Sequence, residues 1–483
     1  MKCNFYHVKV FTSLLFAAFI SIHALLAQSF SPSTEAKLQA VLDAYQAKYG
    51  VGGMAAAINV DGLAVWEGAT GYASQDVDFT SPIYQLKQSG IPFTTNTLSR
   101  IYSVTKTFTA ALTLELVNEG VLNLNDPISK YFPIESYNPL LDGDVTIHQL
   151  LSHTSGYSDF LTNPALLGAV SVNPTKIWAP TEVLPFATKE AEPGAISKYS
   201  NTNYIILGII IETLTGKEIE DHFRERFFDP LGLETMYLAG REPNPTGAFL
   251  ATPHENLQLL GFPVNSYTNF GYLFPFTGIE SIAFTSGGIV SDVGDLAEWG
   301  NALYGGRATS QATLDLMLNS MSNIPDEDGD YLGYGIFRNE KISETDLFYG
   351  HNGAAPGYRS VMFYQPDRQM TIAIISNFSG AQLYEVAKAL YAVLPDFLGG
   401  NENRKEAKIV MCWNGKTHTV ARNAARNFMQ KGAYLGGCEV AIASKKGKHK
   451  SAAEMATSAA ESVSSLLVYP NPSRNHFNFR IQA

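Results

Sequence analysis

Ser103-Val104-Thr105-Lys106, running on through Thr107-Phe108-Thr109-Ala110-Ala111-Leu112-Thr113-Leu114-Glu115-Leu116-Val117-Asn118-Glu119-Gly120, is the stretch on which the reading of this chain turns. Residues three apart share a helix face, so a serine that opens a helix and a lysine one turn later reach each other. The apolar positions Phe108, Leu112, Leu116 and Val117 recur with helical period, and Gly120 supplies a stop signal. Serine is a weak nucleophile without an adjacent base. A lysine serves as that base where burial or neighbouring positive charge lowers its pKa. Ser-x-x-Lys is therefore a hydrolase signature with a mechanism behind it. The bland alternative is an N-cap serine beside a solvated lysine, since so short a motif also arises by chance.

Two further motifs weigh against chance. Tyr199-Ser200-Asn201 follows Glu192-Pro193-Gly194 and precedes Tyr204 and Leu207-Gly208, and His351-Asn352-Gly353 lies between runs of alternating apolar residues. With the three in this order, the chain resembles the penicillin-recognising serine hydrolases, a family of class C β-lactamases, D-Ala-D-Ala carboxypeptidases, D-aminopeptidases and related esterases. Leu150-Leu151-Ser152-His153-Thr154-Ser155-Gly156 and Ser286-Gly287-Gly288-Ile289-Val290-Ser291 match its secondary signatures. The resemblance covers about residues 34 to 396.

The order of elements fits. Thr34 to Tyr49 reads as an amphipathic helix with Leu38, Val41, Leu42 and Tyr45 on one face. Gly52 to Val60 and Leu63 to Gly68 read as a strand pair turned by Asp61-Gly62. Helical stretches dominate from Ser103 to about Leu318; Leu347 to Gly350, Tyr358 to Tyr364 and Met370 to Ser376 read as strands, and Ala381 to Leu394 as a closing helix. Strands at both ends around a helical middle predict an α/β (α+β) fold: an antiparallel sheet uniting the ends, flanked by helices, with an all-helical subdomain inserted. The resemblance implies the same, with the active site between the two parts.

The resemblance also implies roles. Ser103 is the nucleophile, and its backbone N–H, at a helix start, is one oxyanion donor; the N–H of Ala354 is the other. Lys106 and Tyr199 share the base role and titrate as a unit, so the sequence does not decide which formally takes the proton. Asn201 bonds the substrate amide and Lys106. Gly353 leaves room for substrate along its strand. His351 stands where many relatives have lysine. Imidazole titrates near neutrality, so this position is open to being neutral at pH 7 and contributing hydrogen bonding more than charge; if His351 meets a substrate carboxylate, protonation strengthens that contact. Arg359 is a further source of charge, with a plain surface arginine the simpler expectation. His153 reads as structural, and Tyr267-Thr268-Asn269 is a competing Tyr-x-Asn that lacks the flanking context. No metal-ligand spacing or phosphate loop occurs, so no metal and no organic cofactor is expected.

The whole chain has 483 residues, 45% hydrophobic and 16% charged, with a net charge of −11. That is an ordinary globular composition and argues against nucleic acid as partner. Lys2 and Lys9 precede an apolar run from Val10 to Ala27, which reads as a secretory signal peptide over 1–28 in preference to a membrane anchor. The hydrolase domain is expected over 29–400. A small segment, 401–443, resembles cysteine-bounded modules appended to secreted bacterial proteins. Its Cys412 and Cys438 pair in an oxidising compartment, a link contributing about 3–4 kcal/mol; two free thiols are the alternative. Residues 444–465, rich in Ser, Ala and Lys, read as a flexible linker. Residues 466–483, opening Leu466-Leu467-Val468-Tyr469-Pro470-Asn471-Pro472, resemble the start of a type IX secretion sorting domain. The expected protein is an exported serine hydrolase, periplasmic, outer-surface or secreted, acting on D-Ala-terminated peptides or β-lactams. Cell-envelope association and oligomeric state stay open. An esterase and a non-hydrolysing penicillin-binding sensor or scaffold are the alternatives.

Overall fold

The computed structural model describes residues 30–260, 264–272, 275–322, 330–399 and 408–438. The expected signal peptide, linker and sorting-like segment lie outside the described residues. In chain order, the elements that build the site are α1 (Pro32–Tyr49), β1 (Gly53–Val60), β2 (Ala64–Asp78), β3 (Gln85–Pro92), α2 (Thr105–Asn118), α3 (Asn201–Thr215), α4 (Thr277–Gly287) and α5 (Val293–Tyr304). There follow β4 (Tyr331–Leu332), β5 (Phe337–Asn339), β6 (Phe348–Ala355), β7 (Tyr358–Gln365), β8 (Met370–Ser376) and α6 (Leu383–Val393). The chain continues with β9 (Leu398–Gly399), β10 (Lys408–Trp413), β11 (Lys416–Ala421), α7 (Arg422–Met429) and β12 (Tyr434–Leu435).

Eight strands form one sheet in the order β3-β2-β1-β8-β7-β6-β5-β4. Its closing seam pairs β1 with β8 antiparallel, Met54 opposite Ser376 through Val60 opposite Met370. Period-two alternation divides the sheet between two cores. Met54, Ala56, Ile58, Val361, Phe363, Ile372 and Ile374 face α1 and α6, whose Leu38, Leu42, Val386 and Leu390 are fully buried. Ala55, Ala57, Met362, Ala373 and Ile375 face the opposite core, shared with Phe108 and Leu112 of α2, Ile206 and Ile210 of α3 and Trp299 of α5. The helical middle thus lies on one face of a sheet made by the two ends of the chain, as the order of elements predicts.

Three expectations are corrected. The second strand does not stop at Gly68 but runs to Asp78 and pairs with an unanticipated β3. β6 does not stop at Gly350; it carries His351-Asn352-Gly353 inside the strand, paired with Met362, Val361 and Ser360 of β7. The expected boundary at 400 is crossed by pairing, Leu398 opposite Ile409 and Gly399 opposite Lys408. The cysteine-bounded segment is joined to the domain because its apolar face, Ile409, Met411, Ala425, Met429 and Leu435, completes the core under α1 and α6. Arg422 fastens it by donating to the carbonyls of Arg368 and Asp61, both 3.2 Å away, at two strand turns of the large sheet. Cys412 and Cys438 are bridged, with Cα atoms 4.7 Å apart.

Candidate active site

Ser103 sits on a 3₁₀ turn, Tyr102–Val104, that feeds directly into α2. Tyr102 has φ +43°, a strained value for a bulky residue. Its ring is buried against Tyr358, with centroids 6.0 Å apart. Packing on both sides holds this conformation and leaves the hydroxymethyl of Ser103 half-buried at the cleft while Lys106, one turn on, is fully buried beneath it.

The Lys106 amine donates to three oxygens: Ser103 Oγ at 3.1 Å, Asn201 Oδ1 at 2.6 Å and the Ser286 carbonyl at 2.7 Å. Its nitrogen lies 4.8 Å from the centre of the Tyr199 ring and 5.5 Å from that of Tyr204. Burial lowers its pKa to about 7, against the opposing pull of the Asp159 carboxylate. Burial thus favours the free amine, whose lone pair is within reach of the serine proton. The Ser286 carbonyl comes from α4, whose helical course is interrupted at Phe284 (φ 37°).

The second motif is aimed by the first secondary signature. His153, at φ +57°, accepts at Nδ1 from the Ser200 N–H (3.1 Å), and its ring stacks on Tyr199 with centroids 4.5 Å apart. The Lys198 N–H donates to the His153 carbonyl at 2.9 Å, and the Gly194 N–H to the Thr154 carbonyl at 2.7 Å. Burial and the nearby Lys106 hold His153 well below the usual imidazole range. It is a neutral platform under Tyr199.

The third motif differs in part from expectation. A Cβ on Gly353 would fall 2.1 Å from the Ile101 carbonyl and 2.3 Å from Ser360 Oγ. The glycine therefore makes room for the nucleophile's own turn to lie against β6. Ala354, next along, is exposed at the cleft. His351 is buried, its Nδ1 2.6 Å from the Asn352 carbonyl. A carbonyl only accepts, so Nδ1 carries the proton and Nε2 is a bare, buried acceptor with no protein partner among the described residues. Burial, with Lys106 close by, pushes its pKa down to about 3. This favours the neutral, hydrogen-bonding form of His351 that the sequence allows over a charged one. Arg359 is half-buried, not a surface arginine, and its Nη1 donates to the carbonyls of Ala355 (2.9 Å) and Tyr358 (2.7 Å) in the β6–β7 turn.

Three separate stretches of sequence thus bring Ser103, Lys106, Tyr199, Asn201 and His351 together between sheet and helices, with Gly353 against the nucleophile's turn and Ala354 next along its strand. The competing Tyr267-Thr268-Asn269 lies elsewhere, on a short strand where Asn269 donates to Ser74 Oγ (3.0 Å) and the Gln75 carbonyl (2.9 Å). One residue is missed by sequence reasoning. Asp159 accepts from Asn201 Nδ2 at 2.6 Å and from the Leu161 N–H at 3.0 Å. The available signal was an N-cap aspartate three residues past Gly156.

With this geometry in view, comparisons with known proteins become informative. The model of the beta-lactamase family matches residues 38–394. The chain is 27% identical over 310 residues to penicillin-binding protein 4* of Bacillus subtilis, a match covering 61% of this chain and 64% of that relative's length. It is 26% identical over 364 residues to a D-aminopeptidase of Brucella anthropi, covering 74% of this chain and 62% of the relative. Among solved structures, D-amino acid amidase from Ochrobactrum anthropi SV3 in complex with L-phenylalanine amide superposes with a TM-score of 0.61 at 27% identity. That superposition covers 75% of this chain and 98% of the amidase.

Proposed function

Because the chain belongs to the beta-lactamase family, we propose that it is an exported serine hydrolase that forms an acyl-enzyme on Ser103 and acts on amides or peptides of D-amino acids. The observation that carries the reading is the buried Lys106 amine 3.1 Å from Ser103 Oγ. The neutral amine takes the serine proton, in concert with Tyr199, as Oγ attacks the substrate carbonyl. The amides of Ser103 and Ala354 stabilise the oxyanion. As the tetrahedral adduct collapses, the Lys106–Tyr199 pair returns the proton to the leaving nitrogen, which departs as an amine. Water then attacks the acyl-enzyme, giving up a proton to the same pair; the acid leaves and Ser103 recovers its hydrogen.

The substrate class follows from charge. Burial holds His351 toward its neutral form, Asn352 and Ala354 bracket Gly353, and Arg359, opposite Ala354 on β7, has its Nη1 engaged by its own hairpin. A leaving group that ends in a free carboxylate gains no positive charge from His351, where a lysine would supply one. A D-aminoacyl amide, the kind of compound on which the superposed amidase acts by its name, or an ester has no such need. A D-Ala-D-Ala carboxypeptidase is the second reading, favoured by 27% identity over 315 residues to a putative D-alanyl-D-alanine carboxypeptidase of Escherichia coli.

A turnover panel tests both: D-alanine amide, a peptide ending in D-Ala-D-Ala, nitrocefin and a short-chain aryl ester. The expected order puts the amide first in kcat/KM. Preference for the free-carboxylate peptide sinks the charge argument and installs the carboxypeptidase, and an acyl adduct mapped by mass to any serine but Ser103 sinks the mechanism. N-terminal sequencing of exported protein checks the signal peptide, with the mature chain expected to begin near Gln28 or Ser29.

A further inference from the structure

Asn201 stands between two groups of opposite character. Its Oδ1 accepts from Lys106 and its Nδ2 donates to Asp159 Oδ2, both at 2.6 Å. The carboxylate is held independently: Oδ1 accepts from the Leu161 N–H, and the neighbouring Phe160 N–H donates to Thr202 Oγ1 at 3.1 Å. Phe160 itself is fully buried and anchors the turn.

We propose that Asp159 is a positioning residue for the acyl transfer proposed above, on which this inference rests: it locks the Asn201 amide with its oxygen toward Lys106 and so keeps the amine's lone pair free for Ser103. A side-chain amide fits its slot in two orientations related by a flip. With Asp159 ionised, the flipped orientation sets oxygen against carboxylate and leaves an acceptor pair unbonded, which is costly in a buried site. Without the carboxylate, that bar is gone. A flipped Asn201 would point Nδ2 at the neutral amine and donate to its lone pair, the same lone pair that must receive the serine proton. Asp159 thus protects the base from its own hydrogen-bonding partner.

A second consequence is electrostatic. The groups facing Lys106 are the rings of Tyr199 and Tyr204, the Ser286 carbonyl, the neutral His153 and His351, and Asp159. Asp159 is the one carboxyl among these; its carboxylate raises the lysine pKa against burial, while burial raises its own against the contacts with Leu161, Asn201 and Lys106. Removing it moves the deprotonation of Lys106 to lower pH.

The test measures the rate at which an alkyl fluorophosphonate labels Ser103, by intact mass, from about pH 5 to 10. Wild type, Asp159→Asn, Asp159→Ala, Asn201→Ala and Asn201→Ala/Asp159→Asn are compared, with thermal melts run alongside. Asp159→Asn and Asp159→Ala are each expected to lower the high-pH plateau about 10- to 100-fold and to shift the acid limb to lower pH. In the Asn201→Ala background, Asp159→Asn is expected to leave the plateau unchanged, because no amide remains to flip. The proposal is overturned if folded Asp159 variants label at the wild-type plateau with an unmoved limb, since Asp159 then merely caps its turn. It is also overturned if the plateau loss persists in full without Asn201. Wild type that labels elsewhere than Ser103 brings down the catalytic reading itself, a failure separate from both.

Discussion

Gly353→Ala is the sharpest single perturbation of this site, because it adds one methyl group where two atoms already stand. The new Cβ would lie 2.1 Å from the Ile101 carbonyl oxygen and 2.3 Å from Ser360 Oγ. The first contact is about 1.3 Å short of ordinary van der Waals separation. Gly353 lies within a regular strand and has no left-handed φ, so the substitution tests space and not backbone conformation. Ser360 Oγ can rotate, at the expense of its 2.7 Å bond to the Ile101 carbonyl. The carbonyl cannot rotate; it must translate with its chain, and the next two residues are the strained Tyr102 and the nucleophile. A displacement of about 1 Å at the reacting centre is worth roughly a 100-fold loss of rate, and overpacking a tight contact costs about 1–3 kcal/mol. Gly353→Ala should therefore lower the acylation rate by about two orders of magnitude and lower Tm by a few degrees. Ser360→Ala should not rescue it, because the backbone clash remains. Gly168→Ala, which meets nothing within 4 Å, is the control and should leave rate and Tm near wild type. Stopped-flow acylation and calorimetry read both quantities. A folded Gly353→Ala variant acylating within threefold of wild type would refute the claim that the nucleophile's turn is set by contact with β6.

On a neutral substrate, kcat/KM should rise with pH to a plateau with a midpoint near 7, because the active form of Lys106 is the free amine and its pKa is lowered to about that value. The ratio of rates on carboxylate-bearing and neutral substrates should be flat from about pH 5 to 8, because His351 is already neutral throughout; a ratio falling with pH would show that it titrates there. Lys106→Ala and Tyr199→Phe should each cost about two to four orders of magnitude in acylation, and the double variant little more than the worse single, whereas multiplicative losses would contradict a coupled pair. Burial, with Asp295 and Glu67 adding repulsion, raises Asp292 to about 7. The folded state thus keeps a proton the unfolded chain has released, and stability falls as pH climbs toward 7. Asp292→Asn, still able to cap α5, should raise Tm by about 2–4 °C more at pH 8 than at pH 5; an equal effect at both would show that Asp292 is not protonated in the fold.

Much of this was legible because the decisive residues obey local rules. Leu38, Val41, Leu42 and Tyr45 mark α1 by period alone and all four are buried. The sequence motifs named residues that lie together, a hydroxyl and an amine one helical turn apart and the Tyr199 and Asn201 that pack against the amine. What escaped notice depends on distant neighbours. No spacing rule says that Gly353 faces Ile101, 252 positions earlier, or that His351 is entombed beside Lys106. Asp159 caps a short turn, and its contact with the site exists only because α3 brings Asn201 beside it. The short strands β4 and β5 escaped for a related reason, being too brief for alternation to show and defined only by pairing, β5 with β6 and β4 with β5.

The seam of the large sheet has a consequence for how the molecule comes into being. The hydroxyl of Ser376 reaches back to the carbonyl of Gly53 across 323 positions of chain. Neither core can close until β8 has been made, because the sheet that floors them is still in two pieces. A growing chain must hold three paired strands, a long helical middle and an unfilled apolar face in suspense until its closing strands arrive, with the entropic penalty of so long a loop met late.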